Sequence, residues 1–117
     1  MTLHPELEIL LEIQDLQALR RDILTPEYGA AGLVADTKEH AARIEERIAE
    51  REQALSRGVR TVYERVSRRH ERVVAPVLNG VCFGCFVHVP TSRGRDAERN
   101  ATLRTCESCG RFIYDAE

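Results

Sequence analysis

Apolar residues recur along the first 24 positions with the spacing of a helix. Ile9, Ile13, Leu16 and Ile23 follow one another at intervals of four, three and seven, and Leu10, Leu11 and Leu19 widen the stripe. The pattern predicts a helix from about Pro5 to Leu24. Pro5 suits a first helical turn, and Glu6 and Glu8 complement its positive end. Thr25-Pro26 stops it, because the residue before proline is pushed out of the helical region. Residues 25–36 read as a hairpin tip with Gly29 and Gly32, over which Leu33 and Val34 are expected to fold back. Asp36 followed by Glu39 is a capping-box-like start for a second helix, Thr37 to about Arg69. Its apolar positions are Ala41, Ile44, Ile48, Leu55, Val59, Val62 and Val66, close to a four-three alternation from Ile48 onward if Glu52 takes one slot. That helix would be roughly 50 Å long. Gly58 is its weak point, either a bend or an exposed glycine without a role.

The first helix is too short to cover the second. The stripe Val59-Val62-Val66 must then bury against the C-terminal module, a second copy of the chain or a partner. A lone pair of helices is marginal in water, so a homo-oligomer through the helices is one expectation.

After residue 72 the period changes. Val73-Val74-Ala75-Pro76-Val77 reads as an extended entry strand, with its proline at a sheet edge. Asn79-Gly80 is a turn. Phe86 to Val89 reads as a strand, as do Ala101 to Thr105 and Phe112 to Tyr114. Between them lie Cys82-x-x-Cys85 and Cys106-x-x-Cys109. Paired Cys-x-x-Cys turns separated by a hairpin present four thiolates to one tetrahedral ion, a structural zinc. Such a site is closed and has no open position for water or substrate. Gly110, after Cys109, allows the tight turn that aims backbone N–H groups at sulfur. Two disulfides are the competing reading, but bridges belong to secreted chains. Met1 to Glu6 leads into acidic, helix-like sequence rather than a basic and then apolar run, and no stretch reaches the apolar length of a membrane span. The chain therefore reads as soluble and cytoplasmic. A redox pair of the thioredoxin sort lacks its βαβ surroundings. His88, three residues after Cys85, reads as a solvent-facing histidine, since four sulfurs already fill the site.

Composition adds limits. Charged residues make up 31% of the 117 and aromatics 5%, which suits helices burying one stripe better than a large core. The net charge of −2 excludes a global nucleic-acid signature. The charge is uneven. In residues 1–24, Arg20 and Arg21 stand against Glu6, Glu8, Glu12, Asp15 and Asp22, a net of −3. In residues 57–72, Arg57, Arg60, Arg65, Arg68, Arg69 and Arg72 stand against Glu64 and Glu71, a net of +4. That basic neck is the candidate surface for nucleic acid or a protein partner, though with Tyr63 as its one aromatic it lacks an interleaved set of stacking groups. Arg93, Arg95, Arg99, Arg104 and Arg111 form a second patch, diluted by acids. No carboxylate pair, Ser/His/Asp set or glycine-rich phosphate loop occurs, so no enzyme is expected.

Tyr63 to Val66, the run from Val74 to Cys85, and Cys106-Glu107-Ser108-Cys109-Gly110-Arg111-Phe112-Ile113-Tyr114 together resemble the bacterial coiled-coil proteins with a C-terminal C4-type zinc ribbon. The resemblance spans roughly residues 60–114, and Asp115 stands where a tryptophan often follows the terminal tyrosine. It implies a non-enzymatic protein, predicted to bind nucleic acid or to act as an adaptor. Some relatives are linked to an alternative sigma factor and to flagellar or secretion systems.

The expected fold is mainly α with a small β module: an antiparallel coiled-coil hairpin over 1–72, then a C4 zinc ribbon over 73–117. The expected function is a zinc-binding adaptor or regulator that contacts the transcription machinery (RNA polymerase or a sigma factor) or nucleic acid. A scaffold of the secretion or flagellar type is a second expectation. A third is a polymerase secondary-channel factor, which needs closely spaced tip aspartates where this chain offers Glu27 and Asp36.

Overall fold

The computed structural model describes residues 3–25, 37–90 and 100–116. Within them lie three helices, α1 (Pro5–Ile23), α2 (Thr37–Gln53) and α3 (Arg57–Arg69), and four strands, β1 (Val74–Leu78), β2 (Val81–Cys82), β3 (Arg104–Thr105) and β4 (Phe112–Asp115). The chain is mainly α with a small mixed sheet in the order β2-β1-β4-β3. The expected packing of Leu33 and Val34, the Asp36 cap, Glu27, and Arg93, Arg95 and Arg99 fall outside the described residues.

Helix α1 begins where the sequence placed it. His4 is its N-cap, and its Nδ1 accepts the Glu6 N–H at 3.1 Å, a cap that no Ser/Thr/Asp/Asn signal marks. Helix α2 runs antiparallel to it. Arg20 pairs with Glu45 at 2.6 Å, and Glu12 takes both Arg47 and Arg51 at 3.0 Å. These partly exposed pairs contribute little stability, but they mark the register.

The expected second helix is two. The break falls at Ala54, Leu55 and Ser56, ahead of Gly58, which lies within the first turn of α3. Three features hold it. Leu55 is buried in the core. The Ser56 N–H, at the extended N-cap of α3, donates to the carboxylate of Glu6. The Arg60 guanidinium donates to the carbonyls of Glu52, Gln53 and Leu55 at 3.1 to 3.2 Å, closing the C-terminal end of α2. Side chains thus replace the hydrogen bonds that an unbroken helix would have made. Tyr63 ties the three helices together: its hydroxyl donates to Glu52 at 2.6 Å and accepts from Gln17 at 3.1 Å. Burial, and then the Glu52 carboxylate, push its phenol well above the ordinary range.

The break turns α3 onto the rest of the chain. Leu7, Leu10, Ile13, Ile48, Leu55, Tyr63, Val66, Val73, Val74 and Phe112 form one buried cluster, with Val59 and Val62 packed against it. Of the valine stripe, Val66 is thus buried within the same chain, while Val59 and Val62 stay half-buried at its margin. One core spans the junction at residue 72.

The sheet separates this core from a second one. β1 and β4 are parallel, with Val74 opposite Phe112 and Ala75 opposite Ile113. Successive strand residues point to opposite faces. Val74 and Phe112 accordingly join the helices, while Ala75, Val77 and Ile113 pack on Cys82, Cys106 and Cys109. β1 is an inner strand, not the expected edge. Its Val73 and Val77 carbonyls accept from Phe112 and Ala116, so the odd residues face β4. Even residues face away, where the Val74 N–H donates to Gln14 Oε1 at 2.9 Å. The Pro76 carbonyl on this side accepts the Phe83 N–H at 3.0 Å, just past the end of β2, and the reciprocal bond is the one that proline cannot make, so the β1–β2 ladder stops there. Asn79 and Gly80, at φ 52° and 74°, form the two-residue turn to β2. The strand expected from Phe86 to Val89 reduces to one bridge, Val81 to His88.

Candidate metal centre

Each cysteine pair brackets a tight turn. Cys82 ends β2 and Cys106 follows β3, so the sheet sets the first sulfur of each pair, and the turn that follows sets the second. In the first turn the Gly84 N–H points at Cys82 Sγ at 3.4 Å. The Phe86 and Gly110 N–H groups close the two turns onto the carbonyls of Cys82 and Cys106, at 2.6 and 2.8 Å. Gly110 takes a φ of +82°, and Phe86 occupies the equivalent place in the first turn at +61°. Glycine adopts that conformation freely and phenylalanine does not. The Phe86 side chain is nonetheless 70% exposed, with its ring 5.6 Å from that of Phe83.

The four sulfurs lie within 4.8 Å of one another. Cys82 and Cys109 are 3.9 Å apart, Cys85 and Cys106 3.8 Å. A metal bound to sulfur at about 2.3 Å in a tetrahedron requires sulfur separations of about 3.8 Å. Both of these pairs join one turn to the other and stand far beyond the bonding distance of about 2.05 Å in a disulfide. All four thiols are free. Cys82, Cys106 and Cys109 are buried and Cys85 is partly exposed. The cluster is arranged to hold one metal ion and is compatible with one structural zinc.

The protein prepares these thiols unequally for metal. Burial pushes Cys82 up to about 12, against the pull of the Gly84 and Cys85 N–H groups. Burial also raises Cys106, against N–H groups of Cys109 and Ser108. At Cys109 burial is outweighed by hydrogen bonds from the backbone and side chain of Arg111, which bring it down to about 7. Arg111 crosses from the second turn over the first. A Cβ on Gly84 would sit 2.7 Å from its Cδ, so glycine is what lets it lie there. Its Nε also donates to the Arg72 carbonyl at 2.9 Å, fastening the end of the neck to the cluster. His70 does the same from the end of α3, with Nε2 3.0 Å from the Cys109 carbonyl.

The basic neck is divided in function. Arg60 is spent on the end of α2. Arg65 and Arg69 face a cleft beside the second turn. Arg57, Arg68 and Arg72 are exposed, with no ion pair among the described residues. In the second patch Arg104 pairs with Asp115 at 3.3 Å and Arg111 serves Cys109. His88 is exposed and outside the cluster.

Sequence reasoning missed Asn100. It is 1% exposed and makes a reciprocal pair with Asp115, its Nδ2 donating to the carbonyl at 2.9 Å and its Oδ1 accepting the N–H at 2.8 Å. Its own carbonyl accepts the His4 N–H at 2.8 Å, tying the start of α1 to the ribbon. No spacing signal could have found it, because both partners are distant in sequence.

No helix among the described residues is long and apolar enough to cross a membrane. Comparison of the chain with protein-family models, with curated proteins and with solved structures finds no match in any of the three.

Proposed function

We propose that this is a non-enzymatic zinc protein that works as a cytoplasmic adaptor of the transcription machinery, and that its direct contact is with nucleic acid. The observation that carries the reading is a closed cluster of four sulfurs beside a helix whose free arginines face outward. A four-sulfur tetrahedron suits zinc or iron. Zinc is the choice here because four thiolates saturate it and the role left to it is structural. The antiparallel α1–α2 pair acts in this reading as a short coiled coil, a surface for a polymerase or sigma-factor partner. The resemblance of the ribbon to the C4-type family supports the same assignment.

Two measurements test it. Elemental analysis of protein purified without chelator should give about one equivalent of zinc, and Cys106→Ser should lose most of it. Iron in place of zinc would overturn the metal assignment. Fluorescence anisotropy with single-stranded RNA and DNA should show binding at about 50 mM salt that weakens steeply by about 200 mM, as counterion release requires. No binding at the lower salt would remove the nucleic-acid contact and leave a protein adaptor.

A further inference from the structure

A cleft of about 290 Å³ lies between α3 and the second cysteine turn. Arg65 and Arg69 stand along its helical side, above the apolar surface of Val62, and Thr105 and Gly110 form the opposite side. The two arginines are one helical turn apart and exposed, and their guanidinium groups have no hydrogen bond or ion pair among the described residues. Like charges at this spacing weaken a helix, so their placement gains the isolated chain nothing. The Thr105 hydroxyl is likewise unengaged and exposed on edge strand β3. A Cβ on Gly110 would meet nothing within 4 Å, so that wall is open. No carboxylate lines the cleft, and Cys109 of the cysteine cluster forms part of its wall.

We infer that this cleft is a binding site for a phosphate group, held by the Arg65 and Arg69 guanidinium groups with the Thr105 hydroxyl. One guanidinium fork satisfies the two oxygens of a carboxylate, but two forks and a hydroxyl match the larger acceptor set of a phosphate. The volume sits at the lower end of small-ligand sites, room for a phosphate with its attached sugar rather than for an extended ligand. With a divalent ion bound, the four thiolates would carry a charge of about −2 beside the cleft, which Cys109 lines. Arg111 does not line the cleft; its Nε is engaged by the Arg72 carbonyl at 2.9 Å. The inference deepens the nucleic-acid reading by naming its phosphate subsite, but rests on geometry of its own. The phosphate can belong to a nucleic-acid backbone or be free.

The test uses the full-length, metal-loaded, ¹⁵N-labelled protein, titrated separately with a single-stranded RNA oligomer and with inorganic pyrophosphate. The expected result is saturable shifts of the Arg65, Arg69, Thr105 and Gly110 amides with the oligomer. Arg65→Gln/Arg69→Gln should weaken its binding at least tenfold with metal content unchanged, and Arg65→Lys/Arg69→Lys should recover part of the loss. Shifts at these amides with pyrophosphate alone support the site with a free-phosphate source, and end the nucleic-acid reading. Oligomer binding that leaves these amides still and ignores the double variant overturns the cleft but spares that reading. Silence with both ligands overturns both. Loss of metal in the double variant would mean that the arginines only balance the charge of the cluster, and would also overturn the site.

Discussion

Replacing Asn100 by alanine tests whether the helices and the ribbon fold as one unit. The amide side chain is 1% exposed and makes two hydrogen bonds to Asp115, donating to its carbonyl at 2.9 Å and accepting its N–H at 2.8 Å. Truncation removes both bonds and strands both backbone groups. Each stranded group costs about 1–3 kcal/mol when buried. Asp115 is partly exposed, so water recovers some of that, and the expected loss is about 2–4 kcal/mol. That is a large share of the stability of a domain of this size, typically about 5–15 kcal/mol. The assay is urea unfolding of the metal-saturated protein, followed by circular dichroism at the helix wavelength and by the near-ultraviolet signal of tyrosine, with Tyr28 and Tyr63 replaced by phenylalanine so that the signal reports Tyr114 on β4. Both probes should shift together, because the His4 N–H bonds to the Asn100 carbonyl and Leu7, Leu10 and Ile13 share a core with Val73, Val74 and Phe112. A loss under about 0.5 kcal/mol would refute the accounting of stranded groups. A shift in the tyrosine probe alone would refute the single unit.

Three further outcomes are expected. Phe86→Gly should stabilise the metal-loaded protein by up to about 1 kcal/mol in the same urea assay, since relief of the left-handed strain exceeds the extra entropy of glycine; a loss would show that the ring packs usefully where it is. Arg60→Ala should cost about 1–2 kcal/mol and reduce helical dichroism, because the Gln53 and Leu55 carbonyls at and just past the end of α2 lose the guanidinium and the Glu52 carbonyl keeps only the Leu55 N–H; an unchanged spectrum and midpoint would mean that water serves as well. Without metal, Cys82 titrates near 12 rather than its ordinary 9, so its contribution to stability is present below pH 9 and is lost as pH rises toward 12. Cys109, lowered to about 7, contributes above its ordinary value and loses that as pH falls through 7. Unfolding of the metal-free protein across that range checks both signs, and stability climbing above pH 9 would contradict them.

What the sequence revealed followed the range of the interactions. The four ligands were legible because each pair closes a turn of a few residues, and chemistry fixes their spacing. The α1 boundaries and the Asn79-Gly80 turn were legible for the same reason. The break at Ala54–Ser56 was not. Local propensity pointed at Gly58, but an exposed glycine only makes a break inexpensive, and the helix stops where Glu6 and Arg60 can take over the freed groups. Ser56, the N-cap of α3, makes no capping bond through its side chain, so the start of α3 does not rest on a local capping signal. Pro76 was misplaced for a related reason. It marks a position without a ladder N–H, which suggests an edge, whereas here it sits on an inner strand where the pairing with β2 ends, opposite Phe83.

The break changes how the site must be understood. With one long helix, the basic neck would be a rod leading to an independent zinc module. With two, α3 lies on the sheet, His70 meets the Cys109 carbonyl and Arg111 meets the Arg72 carbonyl. The metal turns therefore hold the C-terminal end of α3 as well as one another. Binding free energy at such a site is folding free energy, on the order of 10 kcal/mol or more for structural zinc. Part of it reaches the helices through these contacts. Chelation should then loosen α3 and the cleft beside it along with the ribbon, and phosphate affinity at Arg65 and Arg69 should depend on metal, although neither residue touches it.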